Sequence, residues 1–371
     1  MHKSFDIAII GGGNAGLTLA KNLLNLRASE NIAVIEPTQP SEKRANWCSW
    51  HHKENLANYQ YAVRGIWDSW TLINDKKSIK HKSSDYKYAC IDSALYLSSI
   101  EEKLKASNIK IIRDSVEKIK IKKNNKRELQ CTNNTYEATH VFDSRPPEIV
   151  DGSLRQHFLG IEFELHDNQN IEAPILMDFR VDQSDGLHFI YALPFSDNRL
   201  LIESTVISKK FNENNWYRRQ INQWIEHRNL KVSKVISEET GAILQERYKH
   251  KNKSIEAIGA RGGAIRLSSG YAFHNIQEQV RLLAKSIKSK NYSTSNIISN
   301  KIYFMDTLFN KVMINNPKLS SDLFLSTACH LTGKEFAEFM LNKADTLTWC
   351  KVIMNMPKLP FMKEITKQII Q

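Results

Sequence analysis

An α/β fold is predicted by three features of the chain. Its first residues read as strand, glycine turn and helix. Its middle is a run of short alternating strands. Its last seventy residues are helical in pattern. In the first feature, Phe5-Asp6-Ile7-Ala8-Ile9-Ile10 is an apolar run long enough for one buried strand. It breaks at Gly11-Gly12-Gly13-Asn14-Ala15-Gly16, after which Leu17, Ala20, Leu23 and Leu24 recur at helical spacing. In that context the glycines match a dinucleotide-binding turn. Gly11 allows the tight turn, Gly13 the approach of a pyrophosphate, and Gly16 the close packing of helix on strand. Free N–H groups at the helix start attract phosphate oxygens. A second strand, Ile32-Ala33-Val34-Ile35, ends at Glu36, twenty residues after Gly16, where an acid binds ribose hydroxyls.

The bulk composition narrows the function classes. The chain has 371 residues, 41% of them hydrophobic, enough for two domains or three small ones. No stretch of eighteen residues is apolar throughout, so no membrane-spanning helix is expected. The chain enters a strand at once, with no signal peptide ahead of it, which predicts a cytoplasmic protein. The five cysteines, Cys48, Cys90, Cys131, Cys329 and Cys350, have neither metal-ligand nor disulfide spacing, and we expect reduced thiols and no metal. The net charge of +12 comes without the interleaved aromatics or known module of a nucleic-acid binder. It suits either an anionic membrane surface or a lysine-biased soluble face.

After Glu36, the segment from Arg44 to His52 carries Trp47 and Trp50 in what reads as a loop, a lining for an apolar ligand or a plug between domains. Tyr88 to Lys105 reads as a helix and Ile109 to Ile112 as a strand. Val116 to Lys122, Arg127 to Cys131 and Thr135 to Thr139 read as a meander. His140-Val141-Phe142-Asp143 returns to a buried parallel strand ending in an acid at a turn, where a doubly wound sheet presents ligand contacts. Strands follow at 158–165, 176–181, 187–194, 199–205 and 231–239, with a helix from Trp216 to Arg228. A short strand at 257–260 leads to the glycine turns Gly262-Gly263 and Gly270 and a helix from Tyr271 to Lys288. This late return to a glycine turn before a helix favours FAD over NAD. Thr332 to Glu335 fits a capping box. Phe361, Met362, Ile365, Ile369 and Ile370, with Lys358, Lys363 and Lys367 nearby, make a final apolar side, either helical core or a membrane-facing surface. The expected organisation is a Rossmann-like FAD-binding domain of the glutathione-reductase or hydroxylase type (1–150 and 255–300), an antiparallel-sheet substrate domain (151–254) and a helical C-terminal region (301–371).

The ordered set Asp6 to Leu17, Trp47-Cys48-Ser49-Trp50, Phe142-Asp143-Ser144-Arg145-Pro146, Gln156-His157-Phe158-Leu159-Gly160, Leu176 to Arg180, Leu193-Pro194-Phe195-Ser196, Leu201-Ile202-Glu203-Ser204-Thr205, Gly262-Gly263 to Phe273, Phe304-Met305-Asp306 and Met356 to Phe361 resembles the bacterial lycopene β-cyclase family over essentially the whole chain. The resemblance implies a redox-neutral cyclisation of the open ψ-ends of lycopene to β-ionone rings, giving β-carotene by way of γ-carotene. It implies FAD in its reduced form, with NAD(P)H as electron source. It implies lycopene and its intermediates as partners, and peripheral attachment to the inner face of the membrane. Glu203 matches the family's essential acid–base glutamate; read alone it is an acid in a strand. Arg44, Asp143, Gly262, Gly263 and Gly270 join Gly11, Gly13, Gly16 and Glu36 as implied cofactor contacts, and Trp47 and Trp50 line the implied substrate pocket. Two departures stand out. Ser204 occupies a position often acidic in relatives, and the stretch from Glu239 to Leu244 lacks the proline that often follows it. A flavin-dependent monooxygenase or reductase of an apolar substrate is the alternative, and a non-catalytic carrier of carotenoid or flavin a third reading.

Overall fold

The computed structural model describes residues 3–166, 171–248 and 255–370, without the side chains of 368–370. The chain opens with β1 (Lys3–Ile10), α1 (Asn14–Asn25) and β2 (Ile32–Ile35). It continues with β3 (Asn46–His52), the short α2 (Lys53–Leu56), β4 (Val63–Trp67), β5 (Ser69–Ile73), β6 (Ser78–Lys82), β7 (Tyr86–Asp92) and α3 (Ser93–Lys105). Next come β8 (Lys110–Ile112), β9 (Val116–Ile121), β10 (Arg127–Cys131) and β11 (Thr135–Asp143). The middle holds β12 (Arg155–Leu165), β13 (Ile175–Asp178), β14 (Leu187–Ser196), β15 (Arg199–Ser208), α4 (Asn214–His227) and β16 (Val232–Leu244). The end holds β17 (Glu256–Ala257), α5 (Phe273–Lys288), α6 (Asn300–Asn315), α7 (Ser320–Ala328), α8 (Gly333–Met340), α9 (Thr346–Asn355) and α10 (Lys358–Ile370).

The first sheet runs β8-β2-β1-β11-β10-β9, with β17 beside the end of β11. Strands β8, β2, β1, β11 and β17 are parallel to their partners, and β9 and β10 form the antiparallel meander. Ile7 to Ile10 of β1 and all of β2 are apolar and buried because both faces are covered there. Ile7, Ile9, Ile32 and Val34 pack into the cluster that holds Leu19 and Leu23 of α1, Leu97 of α3 and Leu283 of α5. Ala8, Ile10, Ala33 and Ile35 pack with Val116, Leu129 and Tyr136 of the meander.

The second sheet runs β16-β12-β15-β14-β13-β5-β6. Period two along its strands divides two cores. Ile161, Ile202 and Val206 meet Ile221 and Trp224 of α4. Leu193, Leu201 and Ile207 share the other face with Leu323 and Phe324 of α7, Phe336 and Phe339 of α8 and Val352 of α9. A small sheet, β3-β7-β4, stands among these cores. Buried Arg266 ties the late glycine turns to the C-terminal helices. It forms two hydrogen bonds of 2.9 Å with Asp306 of α6 and donates to the Phe339 carbonyl of α8 at 3.0 Å.

Three local expectations change. Tyr88 to Asp92 is not helical: β7 is paired on both sides, by β3 and β4, and α3 starts only where Asp92 accepts the Leu95 N–H at 3.0 Å. The aromatic segment 46–52 is a strand rather than a loop. β5 and β6, expected within the first domain, are bonded into the second sheet through the parallel pair β5 and β13. The capping box at Thr332 and Glu335 is present. Among the described residues no helix is long and apolar enough to cross a membrane.

Candidate active site

The first glycine turn is built by close approach. Gly16 has no room for a side chain, since a Cβ there would lie 1.9 Å from the Gly11 carbonyl oxygen. Its α-carbon therefore lets α1 seat directly on the end of β1. At Gly13 the reverse holds: a Cβ would meet nothing within 4 Å, so the start of α1 faces open space. That N-terminus has no side-chain cap, which leaves backbone donors for an anion. Ser144 hydrogen-bonds the Ile10 carbonyl through its N–H and its hydroxyl, both at 2.8 Å, pinning the turn after β11 against the glycines. The late return of the chain reaches the same place. A Cβ on Gly259 would lie 2.7 Å from that of Ala15, and Gln277 of α5 donates to Asn14 of α1 at 2.6 Å. Gly262, Gly263 and Gly270 lie in the turns that follow β17, where Tyr303 of α6 donates to the Gly263 carbonyl at 2.5 Å.

Glu36 stands at the end of β2 and accepts the Gly12 N–H at 2.6 Å. Lys43 lies 2.6 Å from the same oxygen, while the Thr38 N–H and hydroxyl take the other at 3.0 and 2.7 Å. These partners outweigh its desolvation, and its carboxyl lies below the usual range. All four acceptor positions are in use, and among the described residues Lys43 is the charged partner. Arg44, expected at this site, is exposed, and its neighbour Lys43 makes the contact. Asp143, another expected contact, is already engaged by Arg145 at 2.9 and 2.7 Å. Gln277 and Lys43 carried no signal in the sequence; Ser144 lay within the Phe142–Pro146 motif and Gly259 within the strand expected at 257–260, neither with a contact assigned to it.

Trp47 and Trp50 do not share a pocket. They are three residues apart on one strand and so point to opposite faces. Trp47 packs 5.9 Å from Tyr96 and from Phe273, in the core of the first sheet. Trp50 is buried, 4.8 Å from Tyr88, 5.0 Å from Tyr271 and 5.6 Å from Phe336 by ring centroids. It lies at the inner wall of an apolar cavity of about 410 Å³. Tyr271 and Phe336 line the same wall, and Ile353, Met356, Phe361 and Met362 of the C-terminal helices line the outer part. Ile353 and Met362 are exposed, as are Met354 and Leu359 beside them. The side chains of Ile369 and Ile370 lie outside the described residues.

Glu203 is on the face of β15 that carries Leu201 and Ile207, toward the cavity side of the sheet. It is buried, and Thr205 donates to its Oε1 at 2.5 Å. Tyr191 lies directly opposite it on β14, and the Tyr88 hydroxyl bonds those of Tyr191 and Tyr271 at 2.9 Å each. Tyr271 thus belongs both to the cavity wall and to the hydroxyl cluster beside Glu203. Burial, and then the negative charge of Glu239, push the Glu203 carboxyl up to about 8. Ser204 points the other way, under α4, where it bonds His188 at 2.9 Å. A carboxylate at that position could not share a pocket with Glu203.

A family model described as lycopene cyclase protein matches residues 6–308. The chain belongs to the lycopene cyclase family. Relatives of this chain include the lycopene beta-cyclase of Pantoea ananas, 23% identical over 251 residues, which are 66% of this chain and 63% of that one. The capsanthin/capsorubin synthase of Capsicum annuum is 23% identical over 335 residues, covering 81% of this chain and 64% of that one. The chain thus matches somewhat less than two thirds of the length of these relatives. Its fold is that of flavin-dependent enzymes. A geranylgeranyl bacteriochlorophyll reductase-like protein of Thermoplasma acidophilum superimposes with a TM-score of 0.66 at 12% identity, over 99% of this chain and 100% of that one. The p-nitrophenol 4-monooxygenase of Pseudomonas putida does so with a TM-score of 0.57 at 13% identity, over 100% of this chain and 98% of that one.

Proposed function

We propose that this cyclase converts the ψ-ends of lycopene to β-ionone rings, yielding β-carotene through γ-carotene, with Glu203 moving the proton. The observation that carries this reading is a buried glutamate joined, through the Tyr191, Tyr88 and Tyr271 hydroxyl cluster, to the wall of an aromatic, apolar cavity. Glu203 donates its proton to C2 of the terminal C1=C2 double bond, leaving a cation at C1. The C5=C6 bond then attacks C1, closing the ring and moving the charge to C5. Loss of the C6 proton to the Glu203 carboxylate restores a C5=C6 bond, so no electrons are gained or lost. Raised to about 8, the carboxyl holds its proton at neutral pH and can give it up to an alkene in a dry site. The faces of Trp50 and Tyr271 offer π-density to the cation, and the apolar walls exclude water that would trap it.

The residues present fit FAD. Open space before Gly13 and the uncapped start of α1 suit its pyrophosphate, and Glu36 its ribose. Gly11 and Gly16 shape that turn, Asp143 pairs with Ile10 at its start and Gly259 approaches Ala15, while Gly262, Gly263 and Gly270 lie in the turns after β17. When bound and kept reduced by NAD(P)H, FAD supplies negative charge that favours a nearby cation. The substrate dissolves in a bilayer, and the cavity is lined at its outer part by exposed apolar residues of α9 and α10 next to Lys358 and Lys363. That face rests on the anionic inner surface of the membrane, from the cytoplasm.

Pigment analysis of lycopene-producing cells expressing the chain tests the reading. The expected result is β- or γ-carotene, lost on Glu203→Gln. An oxygenated or reduced product, with net consumption of nicotinamide or O2, would replace it with the monooxygenase or reductase reading.

A further inference from the structure

Four residues lie in one row across the second sheet. Tyr191 of β14 pairs with Glu203 of β15, Glu203 with Gly160 of β12, and Gly160 with Glu239 of β16. Residues opposite one another in a sheet share a face. The two glutamates therefore project to the same side, with only Gly160 between them. Neighbouring strands are about 4.8 Å apart, so their backbones are about 10 Å apart, within reach of two extended carboxyls leaning inward. A Cβ on Gly160 would already lie 3.3 Å from Cγ of Glu239 and 3.6 Å from Cβ of Glu203. A larger residue there would fill the gap between them.

The hydrogen bonds of the two carboxyls are unequal. Glu239 accepts the Asn46 N–H at 3.2 Å and the Asn46 side-chain amide at 3.1 Å. Both donors favour the ionised form, against burial, which is the larger effect and pushes the Glu239 carboxyl above its ordinary value. Among the described residues Glu203 receives the Thr205 hydroxyl alone, one donor that also favours the ionised form but is outweighed by burial. The nearest cation does not neutralise Glu239. Arg64 turns its guanidinium to Glu162, at 2.9 and 3.0 Å, and to the Asn46 side-chain oxygen Oδ1 at 2.8 Å. Among the described residues no cation lies within ion-pair distance of Glu239. A half-buried carboxylate without a counter-ion, next to a buried second carboxyl, is costly and is unexplained by packing.

Resting on the assignment of Glu203 as the proton carrier, we propose that Glu239 is its positioning partner, a second carboxylate that faces Glu203 across Gly160, is held by Asn46, and confines the single proton of the pair to Glu203. Its charge keeps Glu203 an acid before substrate enters. Once Glu203 has given its proton away, two carboxylates face each other, and the same charge favours recapture of the proton leaving C6. The acid and base halves of the reaction then use one side chain. The acidic residue that relatives often carry at position 204 is not its equivalent, since Ser204 lies on the opposite face under α4. The groups surrounding the pair are Arg64, Glu162, Cys90, Tyr191 and Tyr271, and none stands between the two carboxyls in the row.

The test is an infrared titration of the purified protein, following the carbonyl stretch of a protonated carboxylic acid. The band that disappears in Glu203→Gln belongs to Glu203. In Glu239→Gln its midpoint should fall by about one pH unit or more. Turnover requires the protonated acid and is lost as pH rises through that midpoint, so the alkaline limb of the cyclisation profile should move to lower pH by the same amount. Glu239→Asp, which keeps the charge, should restore both. Glu239→Met serves the same purpose if Glu239→Gln does not fold. A folded neutral variant with unmoved midpoint and limb would overturn the proposal. So would Glu239→Asp behaving like Glu239→Gln. If instead Glu203→Gln keeps normal turnover, it is the assignment of Glu203 that fails.

Discussion

Replacing Glu203 by glutamine should make the protein more stable while removing its activity. Burial pushes the folded-state carboxyl up to about 8 from an ordinary value of 4.5. Below 4.5 both states are protonated and the group costs nothing. As pH rises past the ordinary value, the unfolded chain releases the proton while the folded chain holds it, so stability falls until the folded group also ionises near 8. At neutral pH the interval is about 2.5 units, and at about 1.4 kcal/mol per unit the penalty is about 3 kcal/mol. Glutamine cannot ionise and keeps an oxygen for Thr205, so the variant should escape that penalty. Paired urea unfolding of wild type and variant provides the assay. The variant's advantage should grow from about 1 kcal/mol near pH 5 to between about 4 and 5 kcal/mol near pH 8.5. A gap that stays constant over that range would refute the argument, because a titrating buried acid must produce a slope. A gap of the opposite sign would mean that Glu203 is held ionised in the folded protein.

Three further outcomes follow from the geometry. Glu36→Gln should weaken FAD binding by about tenfold to a hundredfold, the worth of a charged hydrogen bond, in a flavin-fluorescence titration. An unchanged affinity would remove Glu36 from the site. Asp306→Ala strands the buried Arg266 guanidinium and should lower stability by about 3–5 kcal/mol in urea unfolding, whereas loss of the exposed Lys76 partner by Asp322→Ala should cost about 1 kcal/mol or less. Leu359→Glu with Met362→Glu should cut sedimentation with anionic vesicles at least tenfold without altering thermal unfolding, since these side chains are 80% and 61% exposed in the free protein; equal partitioning would place the membrane face elsewhere.

Strand, glycine turn, helix and acid-ended strand were legible between Phe5 and Glu36 because each rests on local chemistry: apolar periodicity, glycine backbone freedom and N-terminal donors. The meander, the paired strands of the middle segment, the helix under them and the capping box at Thr332 were legible for the same reason. The match of ordered motifs pointed to the family and to Glu203. What stayed hidden depends on neighbours distant in the chain. Tyr88 to Asp92 has a helix-compatible pattern, and only pairing with β3 and β4 makes it a strand. Once 46–52 is known to be a strand, the opposite directions of Trp47 and Trp50 follow from period two alone. The sequence by itself therefore determined the fold class, the nucleotide-type turn and the identity of one acidic residue. Tertiary structure alone decided that Gly160 leaves Glu203 facing Glu239, and that helices from the end of the chain enclose the cavity by Trp50. A carboxyl's proton depends on burial and on nearby charge, and both are properties of residues brought together in space, not in sequence.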